Sequence, residues 1–264
     1  MIKKDKVAVL YICTGRYRIF WPEFYTSAEK YLLHGVEKKY FVFTDAKDLK
    51  GASDPNVEII HQDVLEYPKN SLLRFDMFLR IKEKLALYDY SFFFNANVLF
   101  ITDISLEELA PTDEENGLIG YLHYALYNKP PDTFFYERNP ISTACIPLGH
   151  GTHYYQGCLI GGKTKAFLEM AEILDKKIKE DLAKDFIAIW WDESHLNNYF
   201  LDKKVKLLHP GYCYPEVTTE DLPFEKRILA RNKSRRGGVD FLRGIDNSPV
   251  SKIKFLVKKL LFRF

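Results

Sequence analysis

The sequence lacks most features that would fix its class at a glance. Its four cysteines, Cys13, Cys145, Cys158 and Cys213, are widely spaced and include no Cys-x-x-Cys pair. That leaves neither a disulfide framework nor a zinc signature, and they read as free thiols of a reducing compartment. No apolar run reaches the roughly 18–20 residues that span a bilayer. The N-terminal run at 7–13 follows basic residues, as a signal peptide would. It is short, has no Ala-x-Ala site and passes into Gly15-Arg16, so a first strand explains it better. There are no internal repeats, no low-complexity tract and no linker before residue 225. The net charge is only +2, which argues against a disordered chain, and no nucleic-acid partner is expected.

What is present can fold. Of 264 residues, 47% are hydrophobic and 15% aromatic, enough for a sizeable core. The near-neutral total hides an asymmetry. From Glu225 onward there are twelve Lys and Arg against three acids, net +9, so residues 1–224 carry −7. A basic segment therefore follows an acidic body.

Short apolar runs rich in β-branched and aromatic residues recur: "VAVLYIC", "KYFVFTD", "VEIIHQDV", "YSFFFNA" and "GLIGYLHY". They are too continuous for strands with one wet face. Between them "WPEFYTSAEKYLLHG" and "NSLLRFDMFLRIKEKLALYD" have helical spacing, and a long helix is expected at 164–184. Alternation of the two predicts an α/β fold with a parallel-centred sheet covered on both faces. Ligands of open α/β sheets collect beyond the carboxyl ends of the strands. That rule marks the turn Cys13-Thr14-Gly15-Arg16-Tyr17, Thr44-Asp45 and Asn95-Ala96-Asn97; each, taken alone, is also an ordinary polar turn.

The most informative segment is "AIWWDESHLNNYF" at 188–200. Trp rings offer flat apolar faces that suit the C–H face of a sugar, and Asp192 and Glu193 supply acceptors and a nucleophile. The competing account is a helix start capped by Asp192 or Ser194, with Trp190 and Trp191 in the core.

This segment resembles the Trp-x-Asp-Glu-Ser-His-Leu-Asn-x-Tyr block of glycosyltransferase family 6, which includes the histo-blood-group A and B transferases and the α1,3-galactosyltransferases. The 13–17 turn looks like that family's uridine-binding turn. "FFYERNPISTACIP" is similar to its Tyr-Glu-Arg-x-Pro block, and "HYYQGCLIGG" to its Tyr-Tyr-x-x-x-x-x-Gly-Gly block. These motifs run in the family's order over nearly the whole body. Bacterial members without a membrane anchor and stem are the nearest comparison.

The resemblance implies a GT-A-type domain with a mixed, mostly parallel sheet flanked by helices. It also implies retaining transfer of N-acetylgalactosamine or galactose from a UDP-sugar to a galactoside 3-hydroxyl. By position Glu193 matches the catalytic carboxylate, as nucleophile or as electrostatic stabiliser. The donor would meet Cys13, Thr14, Tyr17 (on uracil), Arg74, the 95–97 triplet, Asp192 and Gln156-Gly157-Cys158. The last triplet falls where the family discriminates between its two sugars, and a small Gly157 beside Gln156 favours N-acetylgalactosamine. His123, in "GYLHYALY", and Trp190 match acceptor positions. The expected acceptor is a β-galactoside, fucosylated as in the H antigen. Taken singly, Arg74 is also a helix surface charge and His123 a polar residue at a strand end.

One departure stands out. Animal family members carry Asp-x-Asp, which binds manganese, where this chain has Asn95-Ala96-Asn97. Two amides in place of two carboxylates remove both negative charges that a hard divalent cation needs. No metal cofactor is therefore expected, and the amides remain as donors and acceptors for sugar or ribose hydroxyls. The charge of the departing UDP then falls to the basic segment at 225–246, a lid-like part of a 1–246 catalytic domain. Arg231, Lys233, Arg235, Arg236 and Arg243 are its candidates, with Gly237-Gly238 as the hinge. A solvated basic tail is the plainer reading of each. Two rivals remain open: a metal-dependent transferase using other ligands such as His209, and a glycan-binding protein without catalysis.

At 247–264 a separate basic amphipathic helix is expected. Val250, Ile253, Leu256, Val257, Leu260, Leu261 and Phe264 share one face, and Lys252, Lys258, Lys259 and Arg263 the other. That is the pattern of a helix lying on an anionic membrane; docking on the domain itself or on a partner is the competing account. The expectation is a cytoplasmic enzyme, peripheral on the inner face of the membrane.

Overall fold

The structure, a computed structural model, describes residues 5–219, 221–246, 248–250, 253, 256 and 257. The first half runs β1 (Lys6–Ile12), α1 (Trp21–Tyr31), β2 (Glu37–Thr44), β3 (Val57–His61), α2 (Lys69–Leu72), α3 (Arg74–Leu79), α4 (Lys82–Leu85), β4 (Tyr90–Phe94), β5 (Val98–Phe100) and α5 (Leu106–Leu109). Then follow β6 (Leu118–Leu122), β7 (Tyr155–Lys163), α6 (Thr164–Leu182), α7 (Asp192–Phe200), β8 (Lys206–Leu208), β9 (Tyr214–Pro215), β10 (Ile228–Ala230) and α8 (Val239–Leu242).

Seven strands form the main sheet in the order β3-β2-β1-β4-β7-β6-β8. β3, β2, β1 and β4 are parallel neighbours, β7 runs antiparallel to both β4 and β6, and β8 is parallel to β6. This is the mixed, mostly parallel α/β sheet that the sequence predicts. Both faces are covered, which explains why the strand sequences are continuous apolar runs instead of alternating ones. On one face Val7, Val9 and Tyr11 pack with Trp21 and Phe24; on the other Ala8 and Leu10 pack with Phe75, Phe78 and Phe167.

A second, three-stranded sheet, β5-β10-β9, decides where the basic segment lies. β5 leaves directly from the Asn95-Ala96-Asn97 turn and pairs antiparallel with β10, Val98 opposite Ala230. The pairing continues one residue further. Arg231 N–H donates to the Asn97 carbonyl at 2.7 Å, and Asn97 Nδ2 donates to the Arg231 carbonyl at 2.9 Å.

The segment read as one helix over 70–89 breaks into α2, α3 and α4. Leu73 (φ −98°, ψ 18°) and Ile81 (φ −116°, ψ 22°) leave helical geometry at the joints. Arg74 Nε takes the Ser71 carbonyl at 3.2 Å, a group that an unbroken helix would have used in its own ladder. The breaks let Leu72, Phe75, Phe78 and Leu85 all stay buried against the sheet. Of the expected helix at 247–264, Val250, Ile253, Leu256 and Val257 are helical and exposed; the rest of that segment lies outside the described residues. Among the described residues no helix is long and apolar enough to cross a membrane.

Candidate active site

The carboxyl ends of β1 and β4, the start of β7 and the first turn of α7 converge on a cavity of about 340 Å³. Its wall includes Thr14 and Tyr17 after β1, all of Asn95, Ala96 and Asn97 after β4, and Gln156, Gly157 and Cys158 in β7. Arg74, Trp190, Asp192, Glu193, Lys233 and Arg243 complete the set of predicted residues found there. Of the residues expected to meet the donor, Cys13 is the exception. Its side chain is fully buried on the Tyr11 face of β1, its N–H donates to Phe43 and its carbonyl accepts from Thr44. Burial pushes its thiol up to about 12, so Cys13 shapes the turn from within the core and does not line the cavity.

Glu193 is gripped by two donors. Tyr154 Oη–H donates to Oε1 at 2.9 Å, and the Gly157 N–H donates to Oε2 at 2.8 Å. Burial nevertheless pushes its carboxyl up to about 7, the two hydrogen bonds only partly offsetting the lost solvation. Asp192 is pushed up to about 6 by burial, opposed by the Arg74 guanidinium. Arg74 Nε stands 3.0 Å from Asp192 Oδ2, yet that oxygen makes no hydrogen bond and is buried. It is held by charge and can still accept from a ligand hydroxyl. Arg74 is itself fixed, donating through Nη1 to the Gly157 carbonyl at 2.6 Å and lying over the Phe93 ring. A Cβ on Gly157 would stand 3.3 Å from Asp192 Oδ2, so glycine there lets strand, arginine and both carboxylates close up.

The turn before α7 is strained. Trp191 has φ 54° and ψ −123°, a region that side-chain-bearing residues rarely enter, at about 1–3 kcal/mol. Ile189 N–H donates to Glu137 Oε2 at 2.9 Å, Trp190 N–H to Ser194 Oγ at 3.2 Å, and Glu193 N–H to the Trp190 carbonyl. The alternative of two core tryptophans behind a capped helix does not describe this turn. Trp190 is 41% exposed, no side chain caps α7, and Ser194 binds back to the loop.

The five basic candidates separate. Lys233 and Arg243 line the cavity. Lys233 Nζ lies 5.5 Å over the Tyr17 ring, and burial together with Arg243 pushes it down to about 8. Arg243 stacks over Tyr67 at 3.7 Å and reaches Trp191 at 5.7 Å. Arg231, Arg235 and Arg236 are turned elsewhere: Arg231 and Arg236 bind Glu23 at 2.7 and 2.6 Å, and Arg231 and Arg235 each stand 3.3 Å from Glu216. The shared diphosphate role expected of these three is corrected, because their guanidiniums are committed to body carboxylates. The acidic body thus spends part of its charge holding down the basic segment.

Of the two residues expected at the acceptor, Trp190 packs 5.9 Å from Phe135, and His123 lies 6.5 Å from Phe135 and 5.7 Å from Tyr154. His123 does not reach the cavity wall. Its Nδ1 accepts from Ala125 N–H, and burial pushes the ring down to about 4. Tyr67, Tyr154 and Trp191 were not singled out from the sequence as site residues, although Tyr154 and Trp191 stand within motifs quoted above.

At 95–97, where the Asp-x-Asp of the resembling family would hold manganese, the chain offers amides in place of carboxylates. Asn97 turns its amide nitrogen onto the Arg231 carbonyl, and among the described residues no group of three or more His, Cys, Asp or Glu could hold a metal ion. His209 caps a turn, its Nδ1 accepting from Gly211 N–H, and its ring stacks on Phe224. The donor set does not fit the metal.

Comparison with known proteins agrees with the geometry. The sequence model of glycosyltransferase family 6 matches residues 2–235. The chain is 36% identical over 229 residues to the O-antigen biosynthesis glycosyltransferase WbnI of Escherichia coli, covering 87% of this chain and 95% of that protein. It is 30% identical over 218 residues to the globoside alpha-1,3-N-acetylgalactosaminyltransferase 1 of Gallus gallus, covering 80% of this chain. With the histo-blood group ABO system transferase 2 of Rattus norvegicus the identity is 27%, over 81% of this chain. It spans 62% and 65% of the lengths of those two animal proteins. The chain belongs to glycosyltransferase family 6.

Proposed function

We propose that this glycosyltransferase moves N-acetylgalactosamine, with retention and without a metal, from its UDP donor to the 3-hydroxyl of a fucosylated β-galactoside. The observation that carries the reading is that one cavity is lined both by Glu193, gripped by Tyr154 and Gly157, and by the cations Lys233 and Arg243. A retaining transfer needs a carboxylate beneath the anomeric carbon, either as nucleophile or as the charge that stabilises an oxocarbenium ion. It also needs positive charge where the diphosphate leaves. Fixed cations in a partly dry site can supply that charge in place of a metal.

The remaining roles follow from contact. Tyr17, under Lys233, offers its ring to uracil. Asp192 Oδ2, buried and without a hydrogen bond, accepts from a donor-sugar hydroxyl. Gln156 on the cavity wall supplies an amide to the acetamido group, and Gly157 leaves room for it. The test is a panel of UDP-N-acetylgalactosamine and UDP-galactose against galactosides with and without fucose, assayed with and without EDTA. Transfer of N-acetylgalactosamine that survives EDTA is expected and should vanish in Glu193→Gln. Loss of all turnover in EDTA, or a fully active Glu193→Gln, overturns the reading.

A further inference from the structure

β7 is longer than its partner β4. Their ladder pairs Tyr90–Phe94 with Leu159–Lys163, and Asn95 N–H adds a bond to the Cys158 carbonyl at 2.8 Å. Before Cys158 the strand is completed by side chains. Arg74 donates to the Gly157 carbonyl at 2.6 Å, and the Gly157 N–H donates to Glu193. Tyr155 meets Asn197 of α7 with both of its backbone groups. Asn197 Oδ1 accepts from the Tyr155 N–H at 2.8 Å, and Nδ2 donates to the Tyr155 carbonyl at 2.8 Å. A neighbouring strand would have supplied the same two bonds. The second hydrogen of Nδ2 goes to the Glu193 carbonyl, 2.8 Å away and one turn back in α7. Asn197 is 2% exposed, so a lost partner would leave buried polar groups unsatisfied. Its neighbour Asn198 braces α7 elsewhere, donating to the Cys145 carbonyl at 2.9 Å and accepting from Lys177 at 2.6 Å.

We infer that Asn197 is a positioning residue for the transfer: its amide splints α7 to β7 and so holds the Glu193 carboxylate against the Gly157 N–H. This rests on the transferase reading given above, in which Glu193 acts at the anomeric carbon. Asn197 does not line the cavity that Glu193 lines, so it acts through Glu193 alone. One side chain grips both parts whose separation matters: the backbone that carries the carboxylate, and Tyr155, two residues from its donor. An amide suits the task because it accepts once and donates twice; a carboxylate could only accept, and an alanine could do neither. Without the splint, α7 stays tied through Asn198, but the 2.8 Å between Gly157 N and Oε2 is no longer enforced. Glu193 would then keep its burial while losing part of the donation that opposes it. The other groups facing it are Asp192 and Arg74 with their charges, Tyr154 with its hydrogen bond, and the neutral Tyr121 and Cys158. None of these is a hydrogen-bond partner of Asn197.

The experiment reads the carboxyl without turnover. The full chain is labelled with carbon-13 in its glutamate carboxyls and titrated by NMR, the Glu193 signal being the one missing in Glu193→Gln. In Asn197→Ala the Glu193 midpoint should rise by about one pH unit. The rate at pH 7 should fall about fivefold and recover at alkaline pH, while UDP affinity stays unchanged. Asn197→Ser, too short to reach all three partners, should shift the midpoint in the same direction and serves where the alanine variant does not fold. Asn198→Ala is the control for a merely structural role: it should lower the melting temperature and leave the Glu193 midpoint in place. A midpoint unmoved in the Asn197 variants, or moved as far in Asn198→Ala, overturns the inference. If the midpoint moves as expected in a protein that transfers no sugar, the splint stands and the proposed function falls. If it moves while the rate at pH 7 does not, the splint again stands and Glu193 loses its catalytic role.

Discussion

Replacing Tyr154 by phenylalanine removes one hydroxyl, and its effect should be visible as a displaced pH profile. Tyr154 Oη donates to Glu193 Oε1 at 2.9 Å, and the pair opposes the burial that holds the Glu193 carboxyl near 7. The other groups facing Glu193 are its neighbour Asp192, which raises it, and Arg74, which lowers it; Tyr121 and Cys158 nearby are neutral. A hydrogen bond to a charged acceptor contributes about 1.5–3 kcal/mol, which corresponds to a rise of about one to two pKa units. Starting from about 7, Glu193 is half ionised at pH 7; after the substitution about 1–9% would be. Initial rates across pH 6–9.5 at saturating donor should therefore fall about five- to fiftyfold at pH 7 and recover toward wild type near the alkaline end. Tyr154 itself stays protonated throughout, since burial and Glu193 both push its hydroxyl far up. An unchanged acid limb, or a loss equal at every pH, would refute the argument that this hydroxyl keeps Glu193 ionised.

Three other perturbations read other parts of the site. Glu193→Gln should be more thermally stable than wild type at pH 8 and equal to it near pH 4. The folded state binds the Glu193 proton more tightly than the unfolded chain does, so its contribution is present below about 4.5 and is lost as pH rises through about 7; equal melting temperatures at pH 8 would contradict this. Lys233→Ala and Arg243→Ala should weaken UDP binding by tenfold or more with little change in melting temperature. Arg231→Ala should do the opposite, destabilising by about 2 kcal/mol as Glu23 loses a hydrogen-bonded partner and Glu216 an ion pair; calorimetry of UDP binding beside thermal melts separates the two patterns. Asn97→Asp should lower the melting temperature, because a carboxylate cannot donate to the Arg231 carbonyl and would repel it, at about 1–3 kcal/mol. A melting temperature at or above wild type would show that the amide is not needed there.

The parts of the fold legible in the sequence are those where one residue type repeats. β1, β2, β3, β4 and β6 announce themselves as apolar runs because both faces of the sheet are dry. β7 does not: Gln156, Cys158 and three glycines look like a turn, although the strand sits between β4 and β6. β10 is hidden in the same way, three residues inside a basic stretch, and only its partner β5 makes it a strand. At the site, the ends of strands could be found by position, but orientation could not. Strand parity does carry a usable signal for Cys13, since Val7, Val9, Tyr11 and Cys13 alternate onto one buried face. For the basic segment no such signal exists. Lys233 and Arg231 are two residues apart, and only the placement of Glu23 and Glu216 sends one toward the cavity and the other away.

The pairing of β5 with β10 also has a consequence in time. Val98 meets Ala230, and Asn97 exchanges hydrogen bonds with Arg231, across about half of the chain. A ribosome makes β1 to β4 well before it makes Lys233 and Arg243. Until β10 pairs with β5, nothing frames Lys233 and Arg243 against the cavity. On the proposed function, activity should therefore appear only once the stretch that carries β10, Lys233 and Arg243 has been made.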